Sequence, residues 1–185
     1  MPEVTRYVAL LRAINVGGHN VKMAELRTIF TALTLTNVET FIASGNVRFS
    51  CRTTDVAALE TRIEARLRTE LGYDVATFIR TDAEMIDAAA FTPFTTPGRT
   101  GASSSLSVGF LKTALPDATR DRVLALRGDD NDFVFRGREF YWWLVGRFSD
   151  STITGAKLEK ALGQPTTIRN VTTVRKLALL CSENA

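Results

Sequence analysis

The sequence predicts an α+β fold made of two ferredoxin-like halves, each in the α/β-plait order βαββαβ, with an extra helix at the C-terminus. Two observations carry this prediction. Strand-like and helix-like patterns follow one another in that order over residues 1–81, and the same order returns over residues 104–185. Between them, residues 82–103 hold a short helix and a stretch rich in proline, threonine and glycine, the one segment that reads as a linker. The repeat is one of element order, with no repeat of sequence behind it.

The first strand, 5–11, is a near-continuous apolar run of Tyr7, Val8, Ala9, Leu10 and Leu11, which implies burial on both faces. A glycine-containing loop, 12–20, leads into a helix with Met23, Leu26, Ile29, Phe30 and Leu33 at helical spacing. Residues 38–42 and 47–51 read as strands joined through a turn at Ser44, Gly45 and Asn46, with Val47 and Phe49 on one face. Asp55 caps a second helix whose stripe is Val56, Leu59, Ile63 and Leu67, and Gly72 ends it. Residues 74–81 form the fourth strand, and Asp82 is expected to cap a short helix running to Phe91.

In the second half, Leu106, Val108 and Phe110 alternate with Ser105, Ser107 and Gly109, a strand with one polar face. Pro116 and Asp117 open a helix with Leu124 facing inward. Residues 133–136 and 139–145 form a hairpin across Gly137 and Arg138. Ser151 or Thr152 is expected to cap a helix ended by Gly163. A short strand, 166–169, precedes a closing helix with Val174, Leu177 and Leu180 inward.

Several function classes are excluded by composition. Apolar residues make up 45% of the chain and charged residues 23%, a globular balance. No apolar run is long enough to span a membrane, and the first residues lack a signal-peptide pattern, which places the protein in the cytoplasm. The two cysteines, Cys51 and Cys181, form neither a disulfide framework nor a metal-ligating pair, and no motif names a cofactor. A net charge of +3 is too mild to imply nucleic acid by itself.

Three stretches carry candidate chemistry. Loop 12–20 joins a strand to a helix start, where unsatisfied N–H groups favour anions. Arg12 and Lys22 supply charge, Asn15 a neutral donor, and Gly17 and Gly18 let the backbone curl around a ligand; the same residues also suffice for a tight turn. His19, the one histidine, has no carboxylate or nucleophile beside it in sequence and reads as a surface side chain. The second stretch gathers Lys157, Lys160, Arg169, Arg175 and Lys176, with Asn170 and the threonines Thr172 and Thr173 at the start of the last helix. The third is the turn at Ser44, Gly45 and Asn46. No metal site is foreseen: Asp129, Asp130 and Asp132 lack the acceptors of a calcium loop. An RNA-binding sheet is disfavoured, because only Tyr7 and Phe49 supply aromatics on the first and third strands.

The blocks YVALLRAINVGGHN with MAELR, FIASGNVRFS and TTIRNVTTVRKLALL, in this order, make the chain resemble the uncharacterised bacterial family "domain of unknown function 1697". That resemblance implies two α/β-plait subdomains and no established activity. It also implies which positions matter: Arg12, Asn15, Gly17, Gly18, Ser44, Gly45, Asn46, Arg169, Asn170, Thr173 and Lys176. Three positions depart from it. Ala13 stands where the family usually has glycine, Ala156 where it has serine, and Val171 where a tryptophan follows Arg-Asn.

The leading expectation is therefore a binding site for a small anionic ligand, a nucleotide or phosphate ester, formed by loop 12–20 and segment 169–176. Arg12, Arg169 and Lys176 would supply charge, and Asn15, Asn46 and Asn170 would orient the ligand. Two alternatives belong to other classes. One is a nucleic-acid-binding module that uses the basic C-terminal face. The other is a protein-interaction or assembly module using Tyr141, Trp142 and Trp143, of which the two tryptophans point to opposite faces of a strand, leaving one exposed. No nucleophile or general base is named, and catalysis is left open.

Overall fold

A computed structural model describes residues 3–15, 17–41, 45–95 and 103–183. The chain divides into two compact units, Met1–Ile86 with Leu177–Ala185, and Asp87–Lys176.

In the first unit, β1 (Thr5–Leu11), β2 (Thr36–Phe41), β3 (Asn46–Cys51) and β4 (Thr77–Thr81) form an antiparallel sheet in the order β2-β3-β1-β4. The crossover helices are α1 (Met23–Thr31) and α2 (Val56–Leu71). This is the ferredoxin-like order anticipated from the element pattern. Tyr7, Ala9 and Leu11 of β1 join Val47 and Phe49 of β3 in a core closed by Phe30 of α1 and by Ile63 and Leu67 of α2. The alternate residues Val8 and Leu10 are also fully buried, which is why β1 reads as an unbroken apolar run.

Strand β4 lies at the sheet edge, where unpaired N–H groups invite foreign strands. Two carboxylates of α2 cover that edge. Glu64 Oε1 accepts the Thr77 N–H at 2.8 Å, and Glu60 Oε1 accepts that of Ile79 at 2.9 Å. Asp55 caps α2 by accepting the Ala58 N–H at 3.0 Å, and Gly72 ends it with φ 80°.

The next helix, α3 (Asp82–Ala90), corrects one expectation. Its cap is Thr81, whose Oγ1 accepts the Glu84 N–H at 3.1 Å while Glu84 Oε2 accepts the Thr81 N–H at 2.8 Å. This reciprocal pair satisfies two terminal donors and frees Asp82 to turn toward Arg48.

The second unit repeats the plan. β5 (Ser104–Phe110), β6 (Asn131–Arg136), β7 (Glu139–Val145) and β8 (Thr167–Asn170) form an antiparallel sheet in the order β6-β7-β5-β8. Its helices are α4 (Asp117–Leu124) and α5 (Gly155–Leu162), and α6 (Val171–Ser182) closes the chain. Phe133, Phe140 and Trp142 form the aromatic part of the core, with Val123, Leu158 and Leu162 from the helices.

Several local expectations shift here. Leu124 packs against the core as expected but stays half-buried, and the fully buried residue of α4 is its neighbour Val123. The cap of α5 is Thr154, which accepts the Lys157 N–H at 3.2 Å, since Phe148–Asp150 form a short 3-10 turn before it. β5 has no exposed polar face: Ser107 is buried, and a Cβ on Gly109 would lie 2.0 Å from the Phe140 ring. Tyr141, Trp142 and Trp143 are all buried, so neither tryptophan is the exposed ring that an interaction surface was expected to use. Tyr141 donates its hydroxyl to the Ala88 carbonyl at 2.9 Å.

Candidate functional site

Loop 12–20 is anchored from four sides before it reaches solvent. The Leu11 N–H binds the Gly45 carbonyl and the Arg12 N–H the Ala76 carbonyl, each at 2.8 Å. Asn15 Oδ1 accepts the Val21 N–H at 2.8 Å, which closes the loop on itself. The Tyr73 hydroxyl donates to the Ile14 carbonyl at 2.9 Å, and the Tyr73 ring stacks on His19 with centroids 3.8 Å apart. Burial, reinforced by Glu25, pushes the Tyr73 phenol above its ordinary value, so at neutral pH it stays protonated and remains a donor.

Upon this base, Gly17 and Gly18 take φ 68° and 88°, a left-handed pair that glycine adopts without strain. A Cβ at either would meet nothing within 4 Å, so open space lies above both residues. The loop then enters α1, whose cap residue Lys22 places no side chain on the helix N–H groups. These terminal donors and the lysine are attractive to an anion, against which Glu25 in the first helical turn acts.

The third candidate stretch serves the first as a foundation. Gly45 has φ 76°, and a Cβ there would lie 2.7 Å from Ile14 Cγ2 and 3.1 Å from Leu11 Cβ. The glycine is thus required where the turn packs under the loop. Asn46 is buried and donates to the Phe41 carbonyl at 3.0 Å, bracing the same turn. Ser44 lies outside the described residues.

In the second unit, Arg169, Asn170, Thr173 and Lys176 follow one another from the end of β8 into α6. Asn170 Oδ1 caps α6 by accepting the Thr172 N–H at 2.8 Å. Arg169 Nη1 donates to Thr167 Oγ1 at 2.8 Å and to the Ile168 carbonyl at 3.0 Å. Burial pushes this guanidinium down to about 10, so it is still a cation at neutral pH, held there against its desolvation. Lys176 is exposed and Thr173 half-buried.

The structure therefore gathers Arg12, Asn15, Gly17, Gly18, Gly45 and Asn46 in one corner of the first unit. It lines up Arg169, Asn170, Thr173 and Lys176 along one stretch of the second. Tyr73 was missed from sequence, its one signal being an aromatic directly after the glycine that stops α2. Also missed were Arg6, Asn37, Arg48 and Ser50, which line a cavity on the first unit's sheet.

Two antiparallel plaits in tandem, with a glycine loop between the first strand and first helix, define the class of protein. The chain belongs to the family described as "Protein of unknown function (DUF1697)", whose profile matches residues 4–141. The matched stretch holds the first two sequence blocks, and the third lies beyond it. Among solved structures, the chain is similar to the conserved bacterial protein SP0830 from Streptococcus pneumoniae. The two share 26% identity and a TM-score of 0.75, over 97% of this chain and 99% of the other. No curated protein matches the chain. No helix among the described residues is long and apolar enough to cross a membrane.

Proposed function

We propose that the protein binds a small anionic ligand, a nucleotide or other phosphate ester, on loop 12–20, and that it does so in the bacterial cytoplasm. The observation that carries this reading is the pair Gly17–Gly18. Both residues are left-handed, both have open space above them, and they stand on a loop tied at Arg12 and Ile14 to Ala76 and Tyr73, between α2 and β4, and closed on itself by Asn15. Such a base holds the exposed N–H groups in place before the ligand arrives, which lowers the ordering cost of binding. Arg12 and Lys22 add charge beside them. In the second unit, Arg169 and Lys176 supply a further basic segment. Arg169 is half-buried and is oriented by hydrogen bonds to Thr167 and the Ile168 carbonyl.

The test is a thermal-shift panel of nucleotides and sugar phosphates at fixed ionic strength, on the wild type and on Arg12→Ala, Arg169→Ala and Lys176→Ala. A ligand at a hundred times its Kd adds about 2.7 kcal/mol, a rise of roughly 5–10 °C for a chain of this size. The shift is expected with one ligand class and is expected to vanish in Arg12→Ala. An undiminished shift in all three variants removes the reading.

A further inference from the structure

A second feature of the first unit lies on other elements: a cavity of ≈ 460 Å³ on the sheet. Its polar lining is Arg6 from β1, Asn37 and Glu39 from β2, and Arg48 and Ser50 from β3. Strand register explains why these side chains converge. Arg6 pairs with Ser50 and Val8 with Arg48, so Arg6, Ser50 and Arg48 share the face opposite Tyr7 and Phe49. On the other flank, β2 pairs Thr36 with Ser50 and Glu39 with Arg48, placing two residues of β2 against one of β3. At this bulge Asn37 takes φ 51°, a left-handed conformation that asparagine tolerates better than most side chains, and its amide reaches Ser50 Oγ at 3.2 Å.

The two guanidinium groups differ in state. Arg48 is 8% exposed and clamped to Asp82 Oδ2 at 2.8 Å, yet its buried Nε has no hydrogen-bond partner. Arg6 is half-buried, and its side chain makes no hydrogen bond or ion pair among the described residues. Glu39 faces Arg48 Nη1 only loosely, at 4.0 Å, from a side chain 69% exposed at the rim. Asp82 also lines a neighbouring cleft with Arg6, but no carboxylate among the described residues lies within ion-pair distance of the Arg6 guanidinium. Ser50, which accepts from Asn37, keeps its own hydroxyl proton to donate. A cavity of this size falls in the range of small-molecule sites.

We propose that this cavity binds a small molecule through a phosphate or carboxylate oxyanion. Arg6 engages the oxyanion through two N–H donors, Ser50 donates a hydroxyl to it, and Arg48 stands behind as a fixed second cation. The site shares no residue with loop 12–20, and it stands or falls independently of that loop.

The full-length chain is titrated with inorganic phosphate and, separately, with citrate. Ionic strength is held constant with chloride, and binding is followed by calorimetry on the wild type, Arg6→Gln and Arg12→Ala. The expected result is saturable binding that weakens tenfold or more in Arg6→Gln and is unchanged in Arg12→Ala. Phosphate binding alone or citrate binding alone supports the site and names the source of its oxyanion. In the wild type, the Arg6 Nε–H resonance is expected to shift along the same titration, a readout that holds even where Arg6→Gln fails to fold. No binding of either anion, equal affinity in Arg6→Gln, or an unmoved Arg6 resonance overturns the proposal. Loss of binding in Arg12→Ala alone assigns the anion to the loop and likewise overturns it.

Discussion

Replacing Asp82 by asparagine should destabilise the first unit strongly, and the structure sets the size of the effect. Asp82 Oδ2 lies 2.8 Å from Arg48 Nη2, with the arginine side chain 9% exposed and the aspartate side chain 17%. Burial alone would lower the Arg48 pKa, but the hydrogen bond and charge of Asp82 raise it, so the pair outweighs the desolvation. At an effective dielectric constant near 20, unit charges at this distance attract by about 6 kcal/mol before relaxation. The substituted amide would keep a neutral hydrogen bond and solvent would screen part of the remainder, leaving a net loss of about 2–4 kcal/mol. In a chain of 185 residues this lowers Tm by roughly 4–16 °C. The assay is calorimetric melting of the wild type, Asp82→Asn, Arg48→Met and the double variant. The double variant is expected to be more stable than Asp82→Asn alone, because it buries no unpaired charge. A Tm for Asp82→Asn within about 1 °C of wild type, or strictly additive losses in the double variant, would refute the argument.

Three further outcomes follow from single positions. Ala13 is held at φ 54°, where the family resemblance implies glycine; Ala13→Gly should relieve this strain and raise stability by about 0.5–1 kcal/mol, read as a higher denaturant midpoint. Gly109→Ala should be severely destabilising, since its Cβ would stand 2.0 Å from the Phe140 ring; near-wild-type melting would show that β5 and β7 are spaced otherwise. Burial pushes the Tyr141 phenol from 10.0 up to about 12, so folding favours its protonated form. That contribution, about 2.7 kcal/mol, is fully present below about pH 10 and is lost as pH rises toward 12. Tyr141→Phe should flatten the alkaline loss of stability, and an unchanged slope would count against it.

Much of the fold was legible because its signals are local and redundant. The unbroken apolar run of β1 requires burial on both faces, and Val8 and Leu10 are as buried as Tyr7 and Ala9. Asp55 and Gly72 bracket α2 because cap chemistry depends on neighbours a few residues away. The same locality misled at Asp82 and at Ser151 or Thr152, where adjacent residues could each cap and the tertiary partner decided. Arg48 claimed Asp82, and the 3-10 turn moved the start of α5 to Thr154. In the candidate loop, Gly17 and Gly18 were visible as motif, but the supports beneath them were not. Tyr73 and the Gly45–Ile14 contact depend on pairings 59 and 31 residues apart in sequence, which no local pattern encodes. The Arg6 cavity was hidden for the same reason: its residues come from three strands and meet only through register and a bulge.

The proposed binding of a small anion on loop 12–20 can be read from amide resonances. A uniformly ¹⁵N-labelled chain is titrated with AMP, a hexose phosphate and inorganic phosphate at constant ionic strength. Saturable movement of the Gly17, Gly18 and His19 N–H signals is expected with at least one of these ligands, abolished in Arg12→Ala. Loop signals that stay fixed with every ligand, or that move equally with chloride, would contradict it.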